Sequence, residues 1–217
     1  MIIRKYKKED KKALEQIHFD TGFFGDSMKE IIDNVDLYSL KMDYFLDRNP
    51  DSIIVAEENK KVCGYLIACK NYSLVRDGLY IIWKIIFKIG NIFKLTKRDT
   101  VYWWDQFKNV LRSILGFSNE DHLKMPREDF YYIHMNVHYD FRGQGIGKKL
   151  LDSLEAMAKR EKINNICAVA FDRRHDLRKG DFWRKNGFEE YSRIKTGFWK
   201  KYFPNEEMYL VAFLKKI

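Results

Sequence analysis

The residues best suited to chemistry run from Tyr139 through Arg142, Gly143, Gln144, Gly145, Ile146, Gly147 and Lys148 to Leu151. Glycine at 143, 145 and 147 removes the Cβ atoms that would hold a ligand away from the backbone. This run follows an alternating segment, Tyr131 to Val137, that reads as a strand. It leads into Ile146, Leu150, Leu151, Leu154 and Met157, spaced as the buried stripe of an amphipathic helix. Strand, glycine-rich turn and helix in that order aim several backbone N–H groups and a positive dipole end at one small volume. Such a volume suits a phosphate or pyrophosphate; the alternative is a turn that only lets a helix pack closely on a sheet. No G-x-x-x-x-G-K-[ST] is present, and Gly143-x-Gly145-x-Gly147 lacks the G-x-G-x-x-G step, so neither a Walker A loop nor a dinucleotide fingerprint is at hand.

The elements that must position this turn can be read along the chain. Ile2 to Tyr6 reads as a first strand, and Glu9-Asp10 opens a helix through Leu14, Ile17 and His18. A second helix is expected from about Ser27 to Leu46, stopping ahead of Asn49-Pro50. Ser52 to Glu57 and Lys61 to Ala68 read as a hairpin turned at Glu58-Asn59-Lys60. Further strands are expected at 163–171, 188–195 and 208–214, with a helix before the second of these.

Arg142-x-x-Gly145-x-Gly147, after Phe141 and a strand ending in Val137, resembles the acyl-CoA signature of the GNAT superfamily of N-acetyltransferases. A second landmark has the same origin: Asp181-Phe182-Trp183-Arg184-Lys185-Asn186-Gly187-Phe188 is similar to that family's later F-Y-x-K-x-G-F segment. The two stand in the family's order, with one helix, one strand and a second helix between them or leading into the later motif. The resemblance covers roughly residues 1–70 and 129–217. It implies an α/β fold: a central mixed sheet of about seven strands flanked by helices, in a single domain over 1–217.

The resemblance also implies acetyl-CoA as acyl donor and an amine as acceptor, joined by direct attack in a ternary complex. Turn amides at about Gln144 to Lys148 would hold the pyrophosphate, with charge from Arg142 and Lys148, and the N–H of Val137 would polarise the thioester carbonyl. Asp176 stands where relatives carry a CoA-contacting asparagine, and Trp183 stands at the family's usual tyrosine. An indole can donate a hydrogen bond but cannot deliver a proton. Tyr131, Tyr132, Tyr191 and Tyr209 remain as substitutes for that acid. Catalytic bases in the family sit four to six residues before Val137, where this chain has Ile133 and Tyr131. His134 lies one step off, with Asn136 beyond it; an imidazole there can deprotonate an ammonium directly or through water. Alternation points His134 and Asn136 to the face opposite Met135 and Val137.

Composition sets the remaining bounds. With 46% hydrophobic and 16% aromatic residues, 217 residues can bury a substantial core. The three cysteines, Cys63, Cys69 and Cys167, lie in apolar runs without zinc-ligand spacing; they read as reduced core thiols in a cytoplasmic protein, and no metal is expected. Regular pleating would point Cys63 and Cys69 to one face. Met1 to Lys5 turns charged at once, so secretion is not expected. The net charge of +9 is uneven: residues 70–115 hold nine Lys or Arg against three Asp, six of that excess. CoA is itself polyanionic, so no nucleic-acid partner is expected.

That basic stretch belongs to a helical insertion at about 71–128, ahead of the CoA-binding strand, where the family core passes quickly. Leu79 to Leu95 reads as an apolar helix with Lys84 and Lys88 on one face, and Tyr102 to Leu115 as a second. Extra core, a substrate lid, a homodimer surface and a membrane-surface helix are the open readings. Two classes of function follow: an N-acetyltransferase, or a catalytically weak acyl-CoA-binding module whose insert contacts a partner.

Overall fold

Seven strands, β1 (Ile2–Lys5), β2 (Ile53–Glu58), β3 (Lys61–Lys70), β4 (Phe130–Val137), β5 (Asn165–Arg173), β6 (Glu189–Thr196) and β7 (Met208–Lys216), form one sheet. The computed structural model describes all residues except 71–94, 116–121, 127–128, 174–177 and 198. The strand order is β1-β2-β3-β4-β5-β7-β6. Every neighbouring pair is antiparallel except β4 and β5, which run parallel. The expected mixed sheet flanked by helices is therefore the observed architecture.

Among the described residues six helices flank the sheet: α1 (Lys11–Thr21), α2 (Val35–Tyr38), α3 (Leu40–Arg48), α4 (Lys97–Ile114), α5 (Ile146–Arg160) and α6 (Arg178–Lys185). On one face α5 buries Ile146, Leu150, Leu151, Leu154 and Met157 against Leu66, Ala68, Ile133 and Ile166. Each fully buried leucine there contributes roughly 1.5–3 kcal/mol of transfer free energy. Trp183 of α6 and Phe188 extend that core. On the other face α1 and α3 cover β2 and β3 through Leu14, Ile17, Met42 and Leu46. A third, aromatic-rich cluster joins Phe19, Tyr102, Trp199, Phe23, Phe24, Tyr202 and Phe203.

Two details differ from the sequence reading. The single helix expected from Ser27 to Leu46 is broken into a 3₁₀ turn at Met28–Glu30 and the separate helices α2 and α3. Polar side chains make the break: Asn34 Oδ1 accepts the Leu37 N–H at 2.9 Å as an N-cap. Asp99 Oδ1, reaching over from α4, accepts the N–H groups of Asp33 and Asn34 at 2.9 and 3.0 Å. The second difference is a β-bulge. Ala56 pairs with Gly64 but Glu57 with Val62, so Cys63 is the extra residue on its strand. The bulge turns Cys63 into the α5-side core, whereas Cys69 faces the other way and meets Asn49 Nδ2 at 3.3 Å.

The second insert helix is found as α4, about five residues longer at its start than expected. Its Tyr102 and Trp103 join the aromatic cluster, so it does supply extra core. The first expected insert helix, at 79–95, lies outside the described residues but for its last residue.

Candidate active site at the parting of two strands

β4 and β5 pair only from Phe130↔Asn165 to Ile133↔Ala168. Beyond that point β4 continues to Val137 along β3 alone, and β5 continues to Arg173 along β7 alone. The sheet is thus split by a wedge-shaped gap at the C-terminal end of β4. The His138 N–H bonds Cys63 O at 2.9 Å, so even-numbered residues of β4 turn their backbone polar groups toward β3. Odd-numbered ones turn the other way. The N–H groups of Met135 and Val137 therefore face the gap.

The glycine-rich turn closes one side of this opening. Gly143 and Gly145 hold φ of 77° and 73°, the left-handed region that a side chain makes costly, and a Cβ built on either meets nothing within 4 Å. Backbone conformation favours glycine there, and the space beside each is open to a ligand. Gly147 has another reason: a Cβ would come within 3.0 and 3.1 Å of the Phe182 ring, so this glycine admits α6 rather than a ligand. Gly145 is the N-cap of α5 and supplies no side chain to its first amides, and no acidic residue lies in the first turn. The amides of Ile146 to Lys148, with the positive dipole end, stay available to an anion. The Ile146 side chain itself is core, so its contribution is its N–H. Gln144 is exposed on the turn.

The cations predicted for this site are engaged differently from expectation. Arg142 Nη2 donates to Gly25 O at 2.6 Å and Nε to Val137 O at 3.3 Å. Its guanidinium thus pins the loop after α1 to the end of β4. Lys148 pairs with Asp152 one turn along α5, which raises its pKa while leaving it fully in solvent. Trp183 is buried between Phe182 and Phe188, with ring centroids 5.1 Å away on each side. Phe182, which the sequence reading gave no role, is the ring that packs on Gly147, beside the Met135 methyl. Asp176 lies outside the described residues.

The polar groups gather on the face opposite α5, as alternation requires. His134 Nε2 stands 3.3 Å from His18 Nδ1 and 3.3 Å from Asn136 Nδ2. Asn136 Nδ2 donates to Tyr65 OH at 2.8 Å, and that hydroxyl lies 3.4 Å from His18 Nδ1. An amide nitrogen can only donate, so the Asn136 contact is made to an unprotonated His134 Nε2, whose lone pair it occupies. His18 is further fixed by stacking on Tyr38, centroids 4.6 Å apart and planes 20° from parallel. Burial pushes the Tyr65 and Tyr38 hydroxyls well above their ordinary pKa, so both stay neutral. His18 and Tyr65 escaped the sequence reading. Their one signal was a polar group in each of two otherwise apolar buried stripes, and nothing in spacing says that α1 and β3 bring them together.

Tyr131 is elsewhere. Its side chain points to the α5 face, and its hydroxyl donates to Glu161 at 2.7 Å beyond the far end of α5. Six residues of strand, roughly 20 Å, separate it from Val137. Tyr209 donates to Glu207 at 3.0 Å, and Tyr191 is exposed on β6. Among the described residues no cluster of His, Cys, Asp or Glu is arranged to hold a metal ion.

Residues 107–190, spanning the gap strand, the glycine turn and α6, match the family described as Acetyltransferase (GNAT) domain. Within those residues the chain carries a GNAT acetyltransferase domain. The fold agrees over the full length. A structure described as SsHAT superposes with a TM-score of 0.66 at 13% identity, covering 99% of this chain and 97% of that one. Ribosomal-protein-alanine N-acetyltransferase from Brucella melitensis gives 0.57 at 17% identity, with both chains covered completely. An N-acetyltransferase from Staphylococcus aureus Mu50 gives 0.58 at 16% identity over 99% and 97%. No curated protein matches this sequence. Acetyl-CoA is the acyl donor that such a domain uses.

Proposed function

We propose that this GNAT enzyme acetylates a primary amine by direct attack in a ternary complex, with His134 as general base. The observation that carries the reading is the meeting of three features at one gap. These are the open amides of α5, the inward-facing N–H groups of Met135 and Val137, and the lone pair of His134 on the opposite face.

Fit to CoA rests on the turn. Gly143 and Gly145 leave room where a Cβ would stand, and the uncapped N-terminus of α5 offers donors and a positive dipole to a diphosphate. When bound there, the thioester supplies an activated acetyl group and a thiolate able to leave. The N–H of Val137 donates to the carbonyl oxygen as it gains negative charge. His134 Nε2 accepts the proton of the incoming ammonium, directly or through one water. Asn136 gives up its contact with that nitrogen as it does so, while the edge-on His18 ring keeps the imidazole in place. Arg142 keeps the end of β4 rigid by tying Val137 O to Gly25 O.

No tyrosine hydroxyl replaces the indole of Trp183 among the described contacts of the gap. A thiolate whose acid has a pKa of about 8.5 leaves without help. The acceptor approaches from the α1 face, beside the aromatic cluster of Phe23, Phe24, Trp199 and Tyr202. Structural neighbours include a ribosomal-protein-alanine N-acetyltransferase and a Drosophila polyamine N-acetyltransferase; an amine on a flexible, extended chain is the acceptor class in keeping with both. Following free thiol with acetyl-CoA and a panel of polyamines and peptides tests the reading. Tight CoA binding without turnover on any amine would replace it by the acyl-CoA-binding module.

A further inference from the structure

Helix α4 is apolar on two sides, and the mechanism uses neither. Its inner side is settled: Tyr102 is buried in the aromatic cluster, Trp103 packs beside it, and buried Asp99 accepts the N–H groups of Asp33, Asn34 and Thr96. Its outer side carries Val101, Trp104, Phe107, Leu111 and Leu115, which are 38, 60, 42, 44 and 57% exposed. The three- and four-residue spacing makes them one stripe along the helix. Trp104 and Phe107 stack with centroids 5.8 Å apart and planes 20° from parallel, forming a flat aromatic plate at its centre. Five large apolar side chains aligned on one exposed helix face are more than the scattered exposure of an ordinary surface.

Charge decides what this stripe meets. Lys97, Arg98, Lys108 and Arg112 are all exposed on the same helix, with Arg98 paired to Asp33 at 2.8 Å. Of its two acids, Asp99 is buried against backbone amides, and Asp105 is held between Lys108 at 2.8 Å and Lys201 at 3.0 Å. The face is therefore cationic around an apolar centre. A second copy would bring the same positive face, on a chain of net charge +9, against itself. An anionic lipid surface complements both parts: acyl chains and the headgroup boundary take the Trp104–Phe107–Leu111–Leu115 stripe, and phosphates take the lysines and arginines. Indole rings favour that boundary, where one edge is apolar and the other wet.

We propose that α4 docks this enzyme on an anionic membrane surface through the stripe from Val101 to Leu115. The helix lies in the interface plane and does not cross it; among the described residues no helix is long and apolar enough to span a bilayer. This claim is independent of the acetyl-transfer chemistry.

The test is co-flotation of the full chain with vesicles of phosphatidylcholine alone, and with about one third phosphatidylserine added. The expected result is binding to the anionic vesicles, weakened by salt, with a blue shift of tryptophan emission. Trp104→Ser with Leu111→Ser should lower that binding by about tenfold or more, while CoA affinity stays as in the wild type. Lys97→Glu with Arg112→Glu, which leaves the apolar stripe intact, should do the same on anionic vesicles only. The proposal is overturned if the wild type stays with the unbound fraction, or if both variants float as well as the wild type does. It is equally overturned if the stripe substitutions instead break a dimer seen by sedimentation equilibrium, or abolish retention on DNA without affecting vesicles.

Discussion

Replacing His134 by glutamine separates the base from its scaffold. The amide keeps a polar group within reach of Asn136 and His18, each 3.3 Å from Nε2 in the native ring, but it accepts no proton at neutral pH. General-base assistance is worth about 10²–10⁴-fold, so kcat/KM should fall by that factor, or about 3–5 kcal/mol of transition-state stabilisation. His18→Gln removes only a neighbour of the base. Losing one net hydrogen bond of about 0.5–1.5 kcal/mol predicts a roughly 2–10-fold decrease. CoA affinity should be unchanged in both, because the turn and α5 lie on the opposite face of the sheet. The assay is initial-rate thiol release from acetyl-CoA over a range of pH, with CoA affinity from calorimetry. The wild-type rate should lose its acid limb in His134→Gln. A His134→Gln rate within a few-fold of wild type would refute the base assignment and leave the cofactor site standing.

Further outcomes follow from packing and charge. Gly147→Val drives a side chain into the Phe182 ring, and overpacking of about 1–3 kcal/mol should lower Tm by roughly 2–10 °C in thermal melting. The Arg4 guanidinium, bonded to both Asp10 oxygens at 2.7 and 2.8 Å, holds that carboxyl below the usual carboxylate range. A depressed folded pKa adds stability above the unfolded value of about 4, lost as pH falls through the folded one. The stability gap between wild type and Asp10→Asn in urea titrations should therefore shrink as pH falls below about 5. All three cysteines are buried, and burial pushes the Cys167 thiol up to about 12. A thiol reagent should therefore label Cys167 only after denaturant is added, as mass spectrometry will report.

The donor half of this enzyme is local in sequence and was legible there. Strand, turn and helix are contiguous from Phe130 to Arg160, so glycine spacing and the Ile146–Leu150–Leu154 stripe already describe how the amides are aimed. The acceptor half is assembled from distant pieces. His18 meets His134 across 116 positions, and Asn136 meets Tyr65 across 71. The antiparallel register of β3 on β4 makes Asn136 and Tyr65 neighbours, and the packing of α1 on those strands brings His18 to His134. The contact of Arg142 with Gly25 was illegible for the same reason, the two being 117 positions apart. The broken helix between Ser27 and Leu46 depends on Asp99, a residue of the insertion. Alternation failed at Cys63 because one extra residue in a strand reverses every face after it.

Titrating CoA into the wild type and into Gly145→Val by calorimetry bears most directly on the site at the parted strands. Valine at φ near 73° is strained whatever the surrounding space, and it disturbs the N-cap that aims the α5 amides. Wild-type binding with at least about a tenfold loss in the variant, both being folded by thermal melting, is the predicted result. Equal affinity in the two proteins, or no heat with the wild type, would contradict it.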